Sequence, residues 1–166
     1  KVTVKGLVKE AIGPEVIIPT LNVFTSADDV DISSIPDRFI LKANHGSGWN
    51  ILVDDKDNMD LSATHRLLEK WLRTNYYFFG REYQYNDIPR RILVEPLLES
   101  KNNQPLLDYK FFCFHGEPRF VQVDFDRHTF HTRNFYDLCW NKLPLTMLYP
   151  AHEDDALMPK QFHRMI

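Results

Sequence analysis

"RFILKANHGSGWNILVDD", residues 38 to 55, decides how the chain is read. Two short apolar runs, "RFILKAN" and "NILVDD", flank the polar turn "HGSGW". Alternation over the first run puts Phe39, Leu41 and Ala43 on one strand face and Ile40, Lys42 and Asn44 on the other. Gly46 and Gly48 allow backbone angles that other residues resist. Successive free N–H groups in such a turn can form an anion-binding nest. Ser47 adds a hydroxyl, and Lys42 a point charge on the polar face just before the turn. The spacing is not that of a Walker A loop, in which Gly-Lys-Ser/Thr opens a helix. Taken alone, the stretch reads first as a glycine hairpin carrying a solvated lysine, because short Gly-x-Gly turns are common.

Outward from this hairpin, the pattern alternates between helix and strand. Val4, Leu7, Val8, Ala11 and Ile12 recur at helical spacing until Gly13-Pro14, which predicts a helix over residues 1–12. "EVIIPTLNVF" reads as extended, interrupted by Pro19, and "TSADDVDISSIPD" as polar with a short helical turn. The strongest helix signal is "NMDLSATHRLLEKWLRTNYYFFGRE". It has an apolar stripe of Leu61, Leu68, Leu72 and Tyr76, Asp60 at the N-cap, an exposed Glu69–Arg73 pair and Gly80 at the C-terminus. "RRILVEPLLE" reads as a strand, "SKNNQP" as a polar loop, and "LLDYKFFCF" and "RFVQVDFD" as two strands joined by "HGEP". "RHTFHTRNFYDLCWN" reads as irregular or a short helix, "LPLTMLYP" as a loop and "PKQFHRMI" as the start of a helix. The fold class expected is α+β in two parts, residues 1–90 and 91–166.

Composition narrows the function. The chain has 166 residues, 43% hydrophobic and 13% aromatic, enough for a substantial core. A net charge of -3 does not fit a protein that grips nucleic acid by its backbone, although a local basic pocket for a small anion remains open. Two cysteines, Cys113 and Cys139, make neither a disulfide framework nor a zinc set and point to reduced thiols in the cytoplasm. There is no membrane-length apolar run and no signal-peptide core; the chain opens on Lys1, which suggests a piece of something longer.

Two further segments carry chemistry. In "DYKFFCF", Asp108 and Lys110 share a strand face beside large aromatics, as an edge salt bridge or as ribose and phosphate contacts. "DFDRHTFHTRN" holds Asp124, Asp126, Arg127, Arg133 and Asn134, which suit a metal-phosphate centre or an anionic substrate. His128 and His131 lack an obvious third ligand, so zinc is not expected. "YYFFGREYQYND" is read as a helix end packing on the sheet rather than a nucleic-acid platform.

In their order and spacing, "FILKANHGSGWN", "YYFFGREYQY", "ILVEPLLE", "DYKFFCFHGEPRFVQVDFDR" and "HTRNFYDLCWN" resemble the TupA-like ATP-grasp family of teichuronopeptide biosynthesis. The resemblance covers nearly the whole chain. It implies ATP and Mg²⁺ as cofactors, with nucleotide lying between two α+β subdomains. It implies that Lys42 meets the α- and β-phosphates, that His45, Gly46, Ser47 and Gly48 close over them, and that Glu95 with the backbone near Leu97 and Leu98 forms the adenine hinge. By the same resemblance Asp108 meets the ribose and Lys110 a phosphate. Arg133-Asn134 would meet the transferred phosphate or the substrate carboxylate, with Arg127 beside them on the substrate. An early nucleotide-contacting lysine corresponds to Lys1. The family's amino-terminal domain is not in this sequence, nor are its metal-binding acidic strands, so the carboxyl-terminal part is expected to be incomplete and the metal ligands are not assigned. The implied reaction is ATP-dependent carboxylate–amine ligation through an acylphosphate, in cell-surface polysaccharide or glycopeptide synthesis. The alternatives are phosphoryl transfer to a sugar hydroxyl and a non-catalytic nucleotide-binding domain.

Overall fold

Strand β2, Phe39–Ala43, is the centre of the first sheet, and its alternation is the one read from the sequence. Phe39, Leu41 and Ala43 are fully buried, while Ile40 and Lys42 face the other way and are half-buried. The computed structural model describes residues 1–98, 106–127 and 129–166. It divides into two compact units, Lys1–Leu98 and Glu99–Ile166, each with an antiparallel sheet and its own core. The expected loop "SKNNQP", the end of "RRILVEPLLE" at residue 99 and His128 lie outside the described residues.

In the first unit, β1 (Asn22–Phe24), β2, β3 (Asn50–Val53) and β4 (Ile92–Pro96) run in the order β1-β4-β2-β3. Strand β4, grouped from sequence with the second part, pairs here between β1 and β2, placing Glu95 opposite Ile40 and Leu93 opposite Lys42. Its near-continuous burial suits a central strand covered on both faces. One sheet face packs against helix α2, Leu61–Arg73, whose Leu68 and Trp71 join Phe24, Phe39, Leu41, Val53, Ile92 and Val94 in the core. Asp60 caps α2 as expected, its Oδ1 accepting from Ala63 N at 2.8 Å, and Glu69 pairs with Arg73 at 2.5 Å on the exposed side. Leu61, by contrast, is exposed, and Trp71 takes the core position.

The single long helix read over residues 58–82 is instead broken after Arg73. Thr74 is extended, with its Oγ1 donating to Lys70 O at 2.6 Å, and Asn75 Oδ1 accepts from Tyr77 N at 3.0 Å. These side chains offer the backbone local partners that compete with the helix. A short α3 (Tyr77–Gly80) follows, and the left-handed residue that ends it is Arg81, not Gly80. Helix α1, Val2–Ile12, ends at Gly13 as read, yet none of its residues is buried.

In the second unit, β5 (Asp108–Phe114), β6 (Glu117–Phe125), β7 (Thr132–Asp137) and β8 (Lys142–Leu143) follow one another in order. The expected β5–β6 hairpin is present, turning at His115-Gly116 with both residues at positive φ. Strand β7 corrects the irregular or helical reading of residues 127–141. Five of its six residues are buried, so no alternation marks it. One face, with Val121, Val123, Phe125 and Tyr136, packs on Ala156 and on Phe162 of α4, Phe162–Met165. The opposite face carries Asp108 and Lys110 from β5, Gln122 and Asp124 from β6, and Arg133 from β7.

Candidate functional site

The polar face of the first sheet is built around one buried carboxylate. Glu95 is 4% exposed, and lysines from two elements hold it. Lys42 Nζ donates to Oε2 at 2.6 Å, and Lys5 Nζ, from α1, forms an ion pair with Oε1 at 2.5 Å. Burial pushes the Glu95 carboxyl up, and the hydrogen bonds from Lys42 and Lys5 more than reverse it, keeping the group ionised. Lys5 also donates to Ile18 O and Thr20 Oγ1, each at 2.7 Å, so three oxygens surround its ammonium group. Lys42 has Glu95 as its one hydrogen-bond partner among the described residues, which leaves two donors free.

The glycine turn begins where Lys42 ends its strand. Asn44 fixes the start, with its backbone N donating to Arg91 O at 2.8 Å and Nδ2 to Pro89 O at 3.0 Å. Lys1 Nζ donates to Ala43 O and, at 2.5 Å, to Gly46 O. Burial and the neighbouring Lys42 charge lower the Lys1 pKa. Gly46 lies beneath aromatic rings, where an added Cβ would come within 2.9 Å of Trp49 Cε3 and 3.0 Å of Tyr76 Cδ2. Gly48, at φ 70, turns the chain back. Among the described residues the amides of Gly46, Ser47 and Gly48 have no hydrogen-bond partner, and Ser47 and Gly48 are exposed.

His45 is placed differently from its neighbours. Its ring is buried, with Nε2 within 2.7 Å of Trp71 O and an edge contact to Trp49. Burial lowers its pKa, so the ring is neutral and anchors the turn to the end of α2 rather than facing the exposed side. At the end of β4, the backbone groups of Leu97 and Leu98 make no hydrogen bond among the described residues. Glu95, Leu97 and Leu98 thus contribute two things: a fixed carboxylate and a stretch of unpaired main chain.

In the second unit, Asp124 is the corresponding hub, at 0% exposure. Its Oδ1 accepts from Arg133 Nε at 2.6 Å and its Oδ2 from Lys110 Nζ at 2.7 Å, and Gln122 Nε2 reaches both oxygens at 3.0 Å. Burial pushes the Asp124 carboxyl up, but the hydrogen bonds from Arg133 and Lys110, with His131 close by, outweigh it and hold the group far below the usual carboxylate range. It is therefore a permanent anion that orients cations, not a proton carrier. Asp108 accepts from Lys110 at 2.7 Å and from Arg127. The site residues Asp108, Lys110, Arg127 and Arg133 are thus linked into one network through Asp124.

Asn134 is not in that network. As the neighbour of Arg133 on a strand it points to the opposite face, where its amide accepts from His152 N and donates to Asp154 O, both at 3.0 Å. Its place is to tie down the loop that follows β8. That loop returns over the charged face. Tyr149 stacks on His131 with centroids 3.7 Å apart and lies 4.9 Å from the Arg133 guanidinium, and Arg133 Nη1 donates to Met147 O at 3.1 Å. His131 Nε2 is 3.2 Å from Asp124 Oδ1 but not aligned for a hydrogen bond.

Lys5 and Tyr149 were missed by sequence reasoning. Lys5 sits on an amphipathic helix where a lysine is unremarkable, and Tyr149 lies in a proline-flanked loop with no periodicity. Among the described residues no group of three or more His, Cys, Asp or Glu is placed to hold a metal ion, and no helix is long and apolar enough to cross a membrane. No curated protein and no solved structure is matched by the chain. Over residues 1–166 the chain fits the family described as TupA-like ATPgrasp, and it belongs to that family.

Proposed function

We propose that the chain binds ATP and acts in ATP-dependent carboxylate–amine ligation. One observation carries the reading: Lys42 is held on a fixed strand with two donors free, beside three consecutive unpartnered amides of a glycine turn. That is a site for polyphosphate. Lys42 supplies the charge and the amides of Gly46, Ser47 and Gly48 the directional donors. The main chain at Leu97 and Leu98 offers an adenine edge its donor and acceptor. Asp108 is the ribose contact and Lys110 meets the terminal phosphate, each exchanging the ion pair it now makes with the other. Arg133 and Arg127 receive the carboxylate of the acceptor, with Asp124 keeping Arg133 in register.

In this scheme the γ-phosphoryl group passes to the acceptor carboxylate, giving acylphosphate and ADP. An amine then displaces phosphate to form the amide. The contribution of these residues is positioning and charge neutralisation. Asn134 is left out of the chemistry because its amide is fully engaged with the loop. Mg²⁺, which the family implies, has no fitting ligand set among the described residues: no group of three or more His, Cys, Asp or Glu comes together, and Asp124 is taken up by Lys110 and Arg133. The biological setting proposed is synthesis of cell-surface polysaccharide or glycopeptide.

Thermal unfolding with and without ADP tests the reading. Ligand at a hundred times its Kd is expected to stabilise the chain by about 2.7 kcal/mol. An unchanged melting curve at millimolar ADP removes the nucleotide site. Turnover that passes the γ-phosphoryl group to a sugar hydroxyl and releases ADP without any amine would replace ligation by phosphoryl transfer, and ADP binding with no turnover would leave a nucleotide-binding domain.

A further inference from the structure

We propose that Lys5 is a positioning residue for the phosphate-binding lysine, holding one oxygen of Glu95 so that Lys42 is only partly neutralised and remains available to an incoming phosphate. The inference rests on the nucleotide reading above. Glu95 is a single buried carboxylate with two oxygens, and each is taken by a different lysine, Oε1 by Lys5 and Oε2 by Lys42. The two lysines differ in what else they do. Lys5 is anchored by Ile18 O and Thr20 Oγ1, so that with Glu95 three oxygens surround its ammonium group. Lys42 has no second partner and keeps two donors. Lys5 is therefore not itself a phosphate contact; it fixes the counterion of one.

Removing Lys5 leaves a buried carboxylate with one cation. Glu95 then turns both oxygens toward Lys42, and an arriving phosphate has to compete with a full rather than a shared negative charge. The face also loses one of the two ammonium groups, those of Lys5 and Lys42, that pair with Glu95. Both effects fall on phosphate and neither on the nucleoside.

Affinities of the full chain for ADP and for adenosine separate the possibilities, with adenosine followed by ligand-observed NMR. Lys5→Met is expected to bind ADP about tenfold more weakly, the loss of one charge-assisted contact, with adenosine unchanged. Lys5→Arg, which can restore a cation opposite Glu95, is expected to recover most of the difference. Lys5→Gln keeps a donor for Ile18 O or Thr20 Oγ1 without the charge; it covers the case in which Lys5→Met does not fold, and is expected to behave like it. Titration of the Glu95 carboxyl by ¹³C NMR without nucleotide should show a higher pKa in Lys5→Met and Lys5→Gln than in the parent. Unchanged ADP affinity in a folded Lys5→Met or Lys5→Gln, or equal losses for ADP and adenosine, overturns the proposal while leaving the nucleotide site standing. A parent chain that binds no ADP removes both.

Discussion

Lys42 is the residue on which the phosphate reading turns, and its surroundings set what its loss should do. It is half-buried and hydrogen-bonded to Glu95, which has Lys5 as a second partner. Lys42→Met therefore does not strand the buried carboxylate, and the fold should survive. One charge-assisted contact is worth about 1.5–3 kcal/mol, so ADP binding should weaken roughly ten- to a hundredfold in calorimetry. Equal affinity in the variant would mean that the phosphates lie elsewhere. Asp124 is the opposite case, because its cations have few other anions to turn to. Its folded pKa lies far below the usual carboxylate value of about 3.9, so its stabilisation is complete above that value and is lost as pH falls through the folded one. The stability gap between the parent and Asp124→Asn, measured by urea unfolding, should stay constant from pH 7 to pH 5 and narrow below about pH 4. A gap that narrowed already at pH 6 would implicate a histidine instead. Of these residues, Lys42 was legible in the sequence because it interrupts an apolar alternation. Lys5 was not, because its importance depends on a glutamate far along the chain. His45 looked like a phosphate-loop residue, and only the carbonyl of Trp71 shows that it points inward.

At the scale of the element, the β2–β3 hairpin was legible because β2 alternates cleanly and the turn is marked by two glycines. Strand β7 was hidden for a physical reason: its outward face is covered by the Asp124 network and by Tyr149, so polar and apolar residues are buried alike. The long helix was overread because its apolar period continues past Thr74, where side-chain hydrogen bonds win. The two glycines of the hairpin turn are required for different reasons, and this predicts different rescue. Gly46→Ala puts a Cβ against Trp49 and Tyr76, an overpacking cost of about 1–3 kcal/mol, which trimming Tyr76 should relieve. Gly48 has open space around it and a φ of 70, so Gly48→Ala should cost about 1–2 kcal/mol through backbone strain alone. Asparagine tolerates that conformation, and Gly48→Asn should be the milder change in thermal unfolding. If Ala and Asn were equally tolerated at position 48, the left-handed turn would not be the constraint it is taken to be.

Across the whole molecule the charge is -3, yet the cations that matter are gathered on two sheet faces, each ordered by one buried carboxylate. Net composition gives no hint of this local concentration. The two sheets also have separate cores, one around Phe39, Leu41, Leu68 and Trp71 and the other around Val121, Val123, Tyr136 and Phe162. A unit of the length of Lys1–Leu98 is large enough to bury a core of its own. Residues 1–98 produced alone should therefore unfold cooperatively in urea and give dispersed amide resonances. Because Lys1, Lys5, Lys42, Glu95 and the glycine turn all lie in this piece, it should also bind inorganic tripolyphosphate, and Lys42→Met in the same piece should bind it roughly ten- to a hundredfold more weakly. Raising salt should weaken the parent piece more steeply than the variant, since one fewer cation is screened. A folded piece with no affinity for tripolyphosphate would place the anion site outside the first unit. A piece that did not fold would show that its core needs residues beyond Leu98.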